Sequence, residues 1–242
     1  MKKLFALLFF IPILAQSQKL LGGKNIVKMS MSSLALNNYH FTYERHIYKN
    51  LSFSLSYRTM PKGAIPYQSE IQNQINSNEI NFSNFAIGNS AITPELRIYL
   101  SMSKMKGFYF APYARFANFD VSVPIKYTSN GTVPPASKDA IMDGKIKSTS
   151  AGLMIGYQFQ LFKKLALDFQ IIGGHYGNSK GDLVFSAPLN TFEQQALRDN
   201  LNSLDVSPFK FTSNVNASGA QINVDGPWAG IRAINLGLGF RF

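Results

Sequence analysis

The sequence predicts an all-β fold: an eight-stranded antiparallel transmembrane up-and-down β-barrel. Three observations lead there. An export signal opens the chain, strand-like alternation recurs eight times after it, and the connections sort into short and long ones by parity.

The export signal comes first. Lys2 and Lys3 form a positive n-region, Leu4 to Leu14 is almost wholly apolar, and Ala15-Gln16-Ser17 offers small residues for cleavage. Residues 1–17 therefore read as a signal peptide and 18–242 as the mature barrel domain. The apolar run is too short for a spanning helix, which needs about 20 residues. No later stretch approaches that length, so any crossing must use β-structure, which can satisfy its own backbone in lipid.

The strands follow in order. Val27, Met29 and Met31 alternate with Lys28, Ser30 and Ser32; Tyr39, Phe41 and Tyr43 with His40, Thr42 and Glu44; Leu51, Phe53, Leu55 and Tyr57 with serines and Arg58. Leu96, Ile98 and Leu100 then alternate with Glu95, Arg97 and Tyr99, and Phe108 and Phe110 oppose Tyr109, Tyr113 and Arg115 within 107–119. Two more strands cover 151–159 and 165–171, and the last runs through Leu236, Leu238, Phe240 and Phe242. A strict period of two marks a strand with one apolar and one polar face.

The connections at Tyr48-Lys49-Asn50, 101–106 and Phe162-Lys163-Lys164 are short, and that near 33–38 is brief. Those at about 60–92, 121–146 and 177–229 are long. Short periplasmic turns and long extracellular loops are the layout of an outer-membrane barrel, and an even strand count puts both termini in the periplasm. Leu189 to Leu204 reads as a short surface helix capped by Asn190 or Thr191, and 71–80 as another short helix.

Eight strands leave room inside only for side chains or one small ligand. The apolar rows are expected to face lipid. The polar rows place Glu44, Arg58, Glu95, Arg97, Arg115, Asp168 and Arg241 in the lumen as a charge network of both signs. Met154, Gly152, Gly156, Gly237 and Gly239 leave room for a narrow conduit as the alternative. Tyr39, Tyr57, Tyr99, Tyr157, Tyr176 and Trp228 lie near strand ends, where an aromatic girdle meets the membrane interface. His175 is expected beside Tyr176 at that level.

Composition excludes several function classes. There is no cysteine, so disulfides, thiolate metal sites, cysteine catalysis and a lipoprotein anchor are ruled out. The net charge of +11 comes from scattered residues rather than basic runs, which suits a phosphate-rich membrane rim better than nucleic acid. No zinc-protease or serine-elbow motif appears among the three histidines, His40, His46 and His175. No catalytic residue, metal or cofactor is expected.

With these strands in hand, the chain resembles the small eight-stranded outer-membrane barrels of the outer-membrane protein A and W types. Lys24-Asn25-Ile26-Val27-Lys28, Ser33-Leu34-Ala35-Leu36 and Tyr43-Glu44-Arg45 are similar to an uncharacterised barrel family whose aromatic second strand ends in Tyr-Glu-Arg. Leu238, Phe240 and the terminal Phe242 resemble the signal read by the barrel assembly machinery. No peptidoglycan-binding domain follows the last strand, unlike full-length proteins of the A type. Lipid A deacylases share the barrel and carry a motif like His-x-Ser-Asn, but His175-Tyr176-Gly177-Asn178 has glycine where the nucleophile belongs.

The expected function is thus a non-enzymatic outer-membrane barrel with a structural or surface-binding role through its external loops. The alternatives are a narrow channel for small, partly apolar molecules, as the W-type likeness implies, then a lipid A-modifying enzyme or a soluble lipocalin-like binder. Expected partners are outer-membrane lipid and lipopolysaccharide, and the assembly machinery during insertion. A closed barrel has no free strand margins, so a monomer is expected.

Overall fold

The computed structural model describes residues 23–64, 84–101, 104–129, 135–204 and 207–242. The signal peptide at 1–17 and the short helix at 71–80 lie outside the described residues.

The strands are β1 (Asn25–Ser30), β2 (Tyr39–Tyr48), β3 (Leu51–Ala64), β4 (Ala86–Tyr99), β5 (Gly107–Ser129), β6 (Ala136–Gln160), β7 (Leu165–Ser186), β8 (Lys210–Asn216) and β9 (Gly219–Arg241). Among the described residues, two helices join them, α1 (Met31–Leu34) and α2 (Thr191–Ser203). Each of β1 to β7 pairs antiparallel with the next, β7 pairs with β9, and β9 returns to β1. These eight strands close the expected ring. β8 stands outside it, paired only with the outer half of β9, from Lys210↔Asp225 to Asn216↔Gly219.

The three tight turns and the two described chain ends gather at one end of the ring. Asn25 and Phe242 exchange backbone hydrogen bonds of 3.0 and 2.9 Å, and Arg241 N–H donates to Lys164 O at 2.8 Å. Lys49 (φ 45°) and Met105 (φ 49°) adopt left-handed backbone in two of these turns. At the other end β1 stops at Ser30, short of the alternation expected through Ser32, and gives way to α1. The Ser30 hydroxyl caps α1 by accepting from Ser33 N–H at 3.2 Å.

The long loops need correcting. Segments expected as loops at 121–146 and 177–229 are largely strand, and β3 and β4 run into the 60–92 segment from both sides. The reason is a reversal of polarity. Nearer the turns, the outward rows are apolar, as with Phe110, Phe116, Leu153 and Ile155. Farther out, the outward residues include Lys145, Lys147, Asn178 and Asp182, while Val121, Ile125, Met142 and Leu183 turn inward. The alternation persists but changes sides.

Ile171 is one residue too many against β6, where Ile155↔Ile172 is followed by Gly156↔Gln170. Inward residues of β7 therefore change from even numbers (Ala166, Asp168, Gln170) to odd ones (Gly173, Ser179, Leu183). β9 makes the matching change at Ile234, whose φ is +46°. A β-bulge re-aims side chains in this way.

Beyond the β4 contact, which ends at Ala86↔Ser122, the sheet continues as β5-β6-β7-β9-β8. α2 packs against β5 and β8, the two outermost strands of this extension, and spans its open side. Leu197 and Leu201 are fully buried there, among Val121, Tyr127, Ala140, Met142 and Val215. Asn190 is the cap, within a capping box: its side chain accepts from Glu193 N–H, and the Glu193 carboxylate accepts from Asn190 N–H, both at 2.9 Å. Arg198 donates to Val215 O at 3.1 Å, tying the helix to β8.

Candidate functional site

Inward polar residues of the ring meet in one buried network. Arg97, fully buried, donates to Glu95 at 2.9 Å, Asp168 at 2.6 Å and Glu44 at 3.3 Å. Lys28 reaches Glu44 at 2.5 Å and Asp168 at 2.7 Å. Arg232 closes on Glu95 at 3.1 Å. The remaining carboxylate lone pairs accept from Ser52, Tyr99 and Tyr109, at 2.5, 2.6 and 2.8 Å. Arg97 also lies over the Tyr109 ring, 4.5 Å from its centre. Three carboxylates meet three cations, and hydrogen bonds fill the rest. Such satisfaction lets buried charge persist, because removing one member costs about 3–5 kcal/mol.

Of the residues the sequence assigns to the network, Glu44, Glu95, Arg97 and Asp168 form its centre. Arg58 and Arg115 lie farther out, beyond its ion pairs. Arg241 is at the turn end, donating to Gly23 O at 2.8 Å, Gln160 at 2.6 Å and Lys104 O at 3.1 Å. Lys28 and Arg232 were missed. Lys28 was visible, since it occupies the polar row of β1. Arg232 was hidden, because counting back from Asn235 by twos puts it on the outer face until the Ile234 irregularity is known.

The glycines do not leave an open conduit at this level. A Cβ on Gly156 would lie 2.3 Å from the Tyr109 hydroxyl, and one on Gly239 would lie 2.7 Å from Lys28 Cγ. Large neighbours occupy the space that these glycines vacate. Met154, another candidate for leaving room, is itself 1 % exposed within the inner cluster of Ile26, Tyr99, Met105 and Tyr109.

Tyr99 also needs correcting. It shares a row with Glu95 and Arg97 and is buried inside rather than placed in an outer girdle. Trp228 turns inward too, its ring 4.7 Å from that of Phe119. His175, expected at the outer rim, faces the interior after the bulge, with Nδ1 3.1 Å from the Tyr113 hydroxyl. Tyr39, Tyr57 and Tyr176 are exposed outside, and Tyr157 packs between Phe108 and Phe159. Leu238 and Phe240 face outward, whereas Phe242 is buried.

Above the Phe119–Trp228 pair, the extension holds a half-open apolar cavity of about 270 Å³. Ile125, Leu183, Phe209, Phe211, Ile222 and Trp228 are among its lining residues. The outer face nearby is charged: Lys62 bridges Asp120 and Asp143, each at 3.0 Å, and Lys180 pairs with Asp225 at 2.9 Å. At the helix, Lys138 lies 2.5 Å from Glu193. This ammonium and the Asn190 N–H hold the Glu193 carboxyl below the usual range. Among the described residues, no cluster of three or more His, Asp and Glu is placed to hold a metal ion, and no helix is long and apolar enough to cross a membrane.

The model of a family described as a protein of unknown function (DUF3575) matches residues 4–194. No curated protein matches the chain. Among solved structures, the N-terminal β-barrel domain of Pseudomonas aeruginosa OprF is similar at 9% identity and a TM-score of 0.34, over 90% of this chain and 98% of that one. Neisserial surface protein A is similar at 11% identity and a TM-score of 0.30, over 90% and 93%.

Proposed function

This chain belongs to that family of proteins of unknown function, and we propose that it is an outer-membrane barrel that binds rather than conducts or catalyses. The ring is its anchor and the extension beyond it is its binding part. The observation that carries this is the reversal of polarity. A belt of outward Phe, Leu, Ile and Tyr around a charged, filled interior suits lipid outside and a closed lumen inside. An apolar interior under a polar surface suits water outside, and there a cavity of about 270 Å³ is available to a small apolar ligand.

In this reading the turns and both chain ends face the periplasm. The Tyr, Lys and Arg residues at the belt's margins meet lipid headgroups, lipopolysaccharide included. Leu238, Phe240 and Phe242 are read by the assembly machinery, and the chain is a monomer. The filled network argues against a channel, and planar-bilayer recordings are expected to show no steady conductance.

Placement is tested by fractionation and by gel mobility with and without boiling. Retention in the outer-membrane fraction with a heat-dependent mobility shift is expected, and a soluble protein would sink the anchor reading. The cavity is tested with an apolar naphthylamine probe and the quenching of Trp228, the one tryptophan of the chain. Val224→Phe, which fills the cavity wall, is expected to weaken the probe about tenfold, close to 1.4 kcal/mol. No probe binding by the wild type would remove the binding reading.

A further inference from the structure

Among the described residues, the ring interior holds more positive charge than its carboxylates match. Glu44, Glu95 and Asp168 are taken by Lys28, Arg97 and Arg232. Arg58 and Arg115 also point inward, and neither has an ion-pair partner among the described residues. Arg115 is 7 % exposed and, among the described residues, makes only a long 3.4 Å hydrogen bond to the Thr93 hydroxyl. The Arg58 Nε–H has no acceptor. Arg58, Arg115 and Arg232 are close enough to repel one another.

The groups around these two arginines are also unpartnered. His40, 5 % exposed, stands opposite Arg58 in the β2–β3 register and has a free Nδ1. Asn89 Nδ2 and the Ser148 and Ser150 hydroxyls are buried without partners. Ser150 pairs with Arg115 across β5 and β6, and Ser148 with Ala117 one step farther out. The strand register puts these residues on neighbouring inward rows of β2 to β6, so that they face one stretch of the lumen, a polar chamber between the charge network and the Phe119–Trp228 pair. Nearly every polar atom they offer can donate a hydrogen bond. Two like charges buried without a counter-charge are strongly unfavourable, whereas an anion in reach of two guanidiniums and several donors is well held.

We propose that this chamber binds an oxyanion, a carboxylate or phosphate group. Arg58 and Arg115 supply its counter-charge, and His40, Asn89, Ser148 and Ser150 complete its shell. The anion is either a free small ion or the head of an amphiphile whose tail enters the apolar cavity above. The proposal goes beyond the binding role of the extension, because orthophosphate has no apolar part and reports on the chamber alone.

The test uses the full-length barrel in non-ionic detergent at constant ionic strength. Its thermal unfolding midpoint is read with sodium phosphate, acetate or decanoate as ligand. Phosphate or acetate at about 100-fold over its dissociation constant is expected to raise the midpoint by roughly 5 °C or more. Arg58→Gln and Arg115→Gln each reduce the shift, their combination removes it, and Arg115→Lys keeps part of it. Without ligand, the double variant is at least as stable as the wild type, because it has lost unmatched charge. Decanoate acting at concentrations about tenfold below acetate assigns the head of an amphiphile, and equal potency assigns a free oxyanion. No shift with any of the three ligands overturns the proposal. So does a shift that survives in the double variant, or a double variant that unfolds earlier without ligand. An inert apolar probe leaves the chamber standing, and an inert oxyanion leaves the cavity standing.

Discussion

The ring and the extension are built from the same strands, yet they solve opposite problems. Along β6, Leu153, Ile155 and Phe159 point outward while Ser150, Met154 and Gln158 point inward; earlier in the same strand, Lys145 and Lys147 are outside and Met142 and Ala140 inside. In the ring, stability rests on three carboxylates matched to Lys28, Arg97 and Arg232. In the extension it rests on apolar side chains packed under one helix. One continuous strand can therefore serve two solvents, provided that its faces exchange character where the solvent changes.

The largest effect is expected where that contrast is sharpest. Arg97→Leu removes the hub of the ring and leaves Glu44, Glu95 and Asp168 with two cations instead of three. About 3–5 kcal/mol of stability should be lost. The check is denaturant unfolding of the folded, heat-modifiable form, and a loss below 1 kcal/mol would mean that the ring does not rest on charge matching. Leu197→Ala strikes the other region. It removes a fully buried side chain from the extension's core and should cost about 2–5 kcal/mol. Limited proteolysis should then cut near α2 while the ring stays intact. Simultaneous loss of both would show that the two regions unfold as one.

The smallest effect sharpens the comparison through pH. The folded-state pKa of Glu193 is depressed below its ordinary value of 4.5. Its contribution is therefore fully present above about pH 4.5 and is lost as pH falls through the lower folded value. Acidification through this window should expose α2 to protease slightly more, and Glu193→Gln should remove that pH dependence. The pair with Lys138 lies at the surface, so the change is modest.

The ring was legible because its outward rows repeat a large apolar residue at every second position, as in Phe53, Leu55 and Tyr57. The extension was not, because its outward row is lysine and asparagine and its inward row mixes Ala140 with Met142. A search for outer apolar rows ends at Val121 and restarts near Ile146. Glu44, Glu95, Arg97 and Asp168 could be assigned to one interior from alternation alone. The pairing could not, since it depends on which residues face one another across the ring. For the same reason the excess of Arg58 and Arg115 appears only once Arg232 is seen to claim Glu95. Helix α2 was visible from Phe192, Leu197, Leu201 and Leu204 and from Asn190 or Thr191 at its start, a local signal that needs no tertiary information; the choice of Asn190 and its box with Glu193 came from the structure.

The bond between Asn25 and Phe242 joins residues 217 positions apart. Until β9 arrives, β1 and β7 each carry a row of unpaired backbone groups, open templates for any other strand in reach. The closing strand thus decides whether β1 becomes part of a sealed cylinder or a nucleus for aggregation. Chains that end before β9 should aggregate more readily than chains with an internal deletion in the extension, which keep the pairing of β9 with β1 and β7.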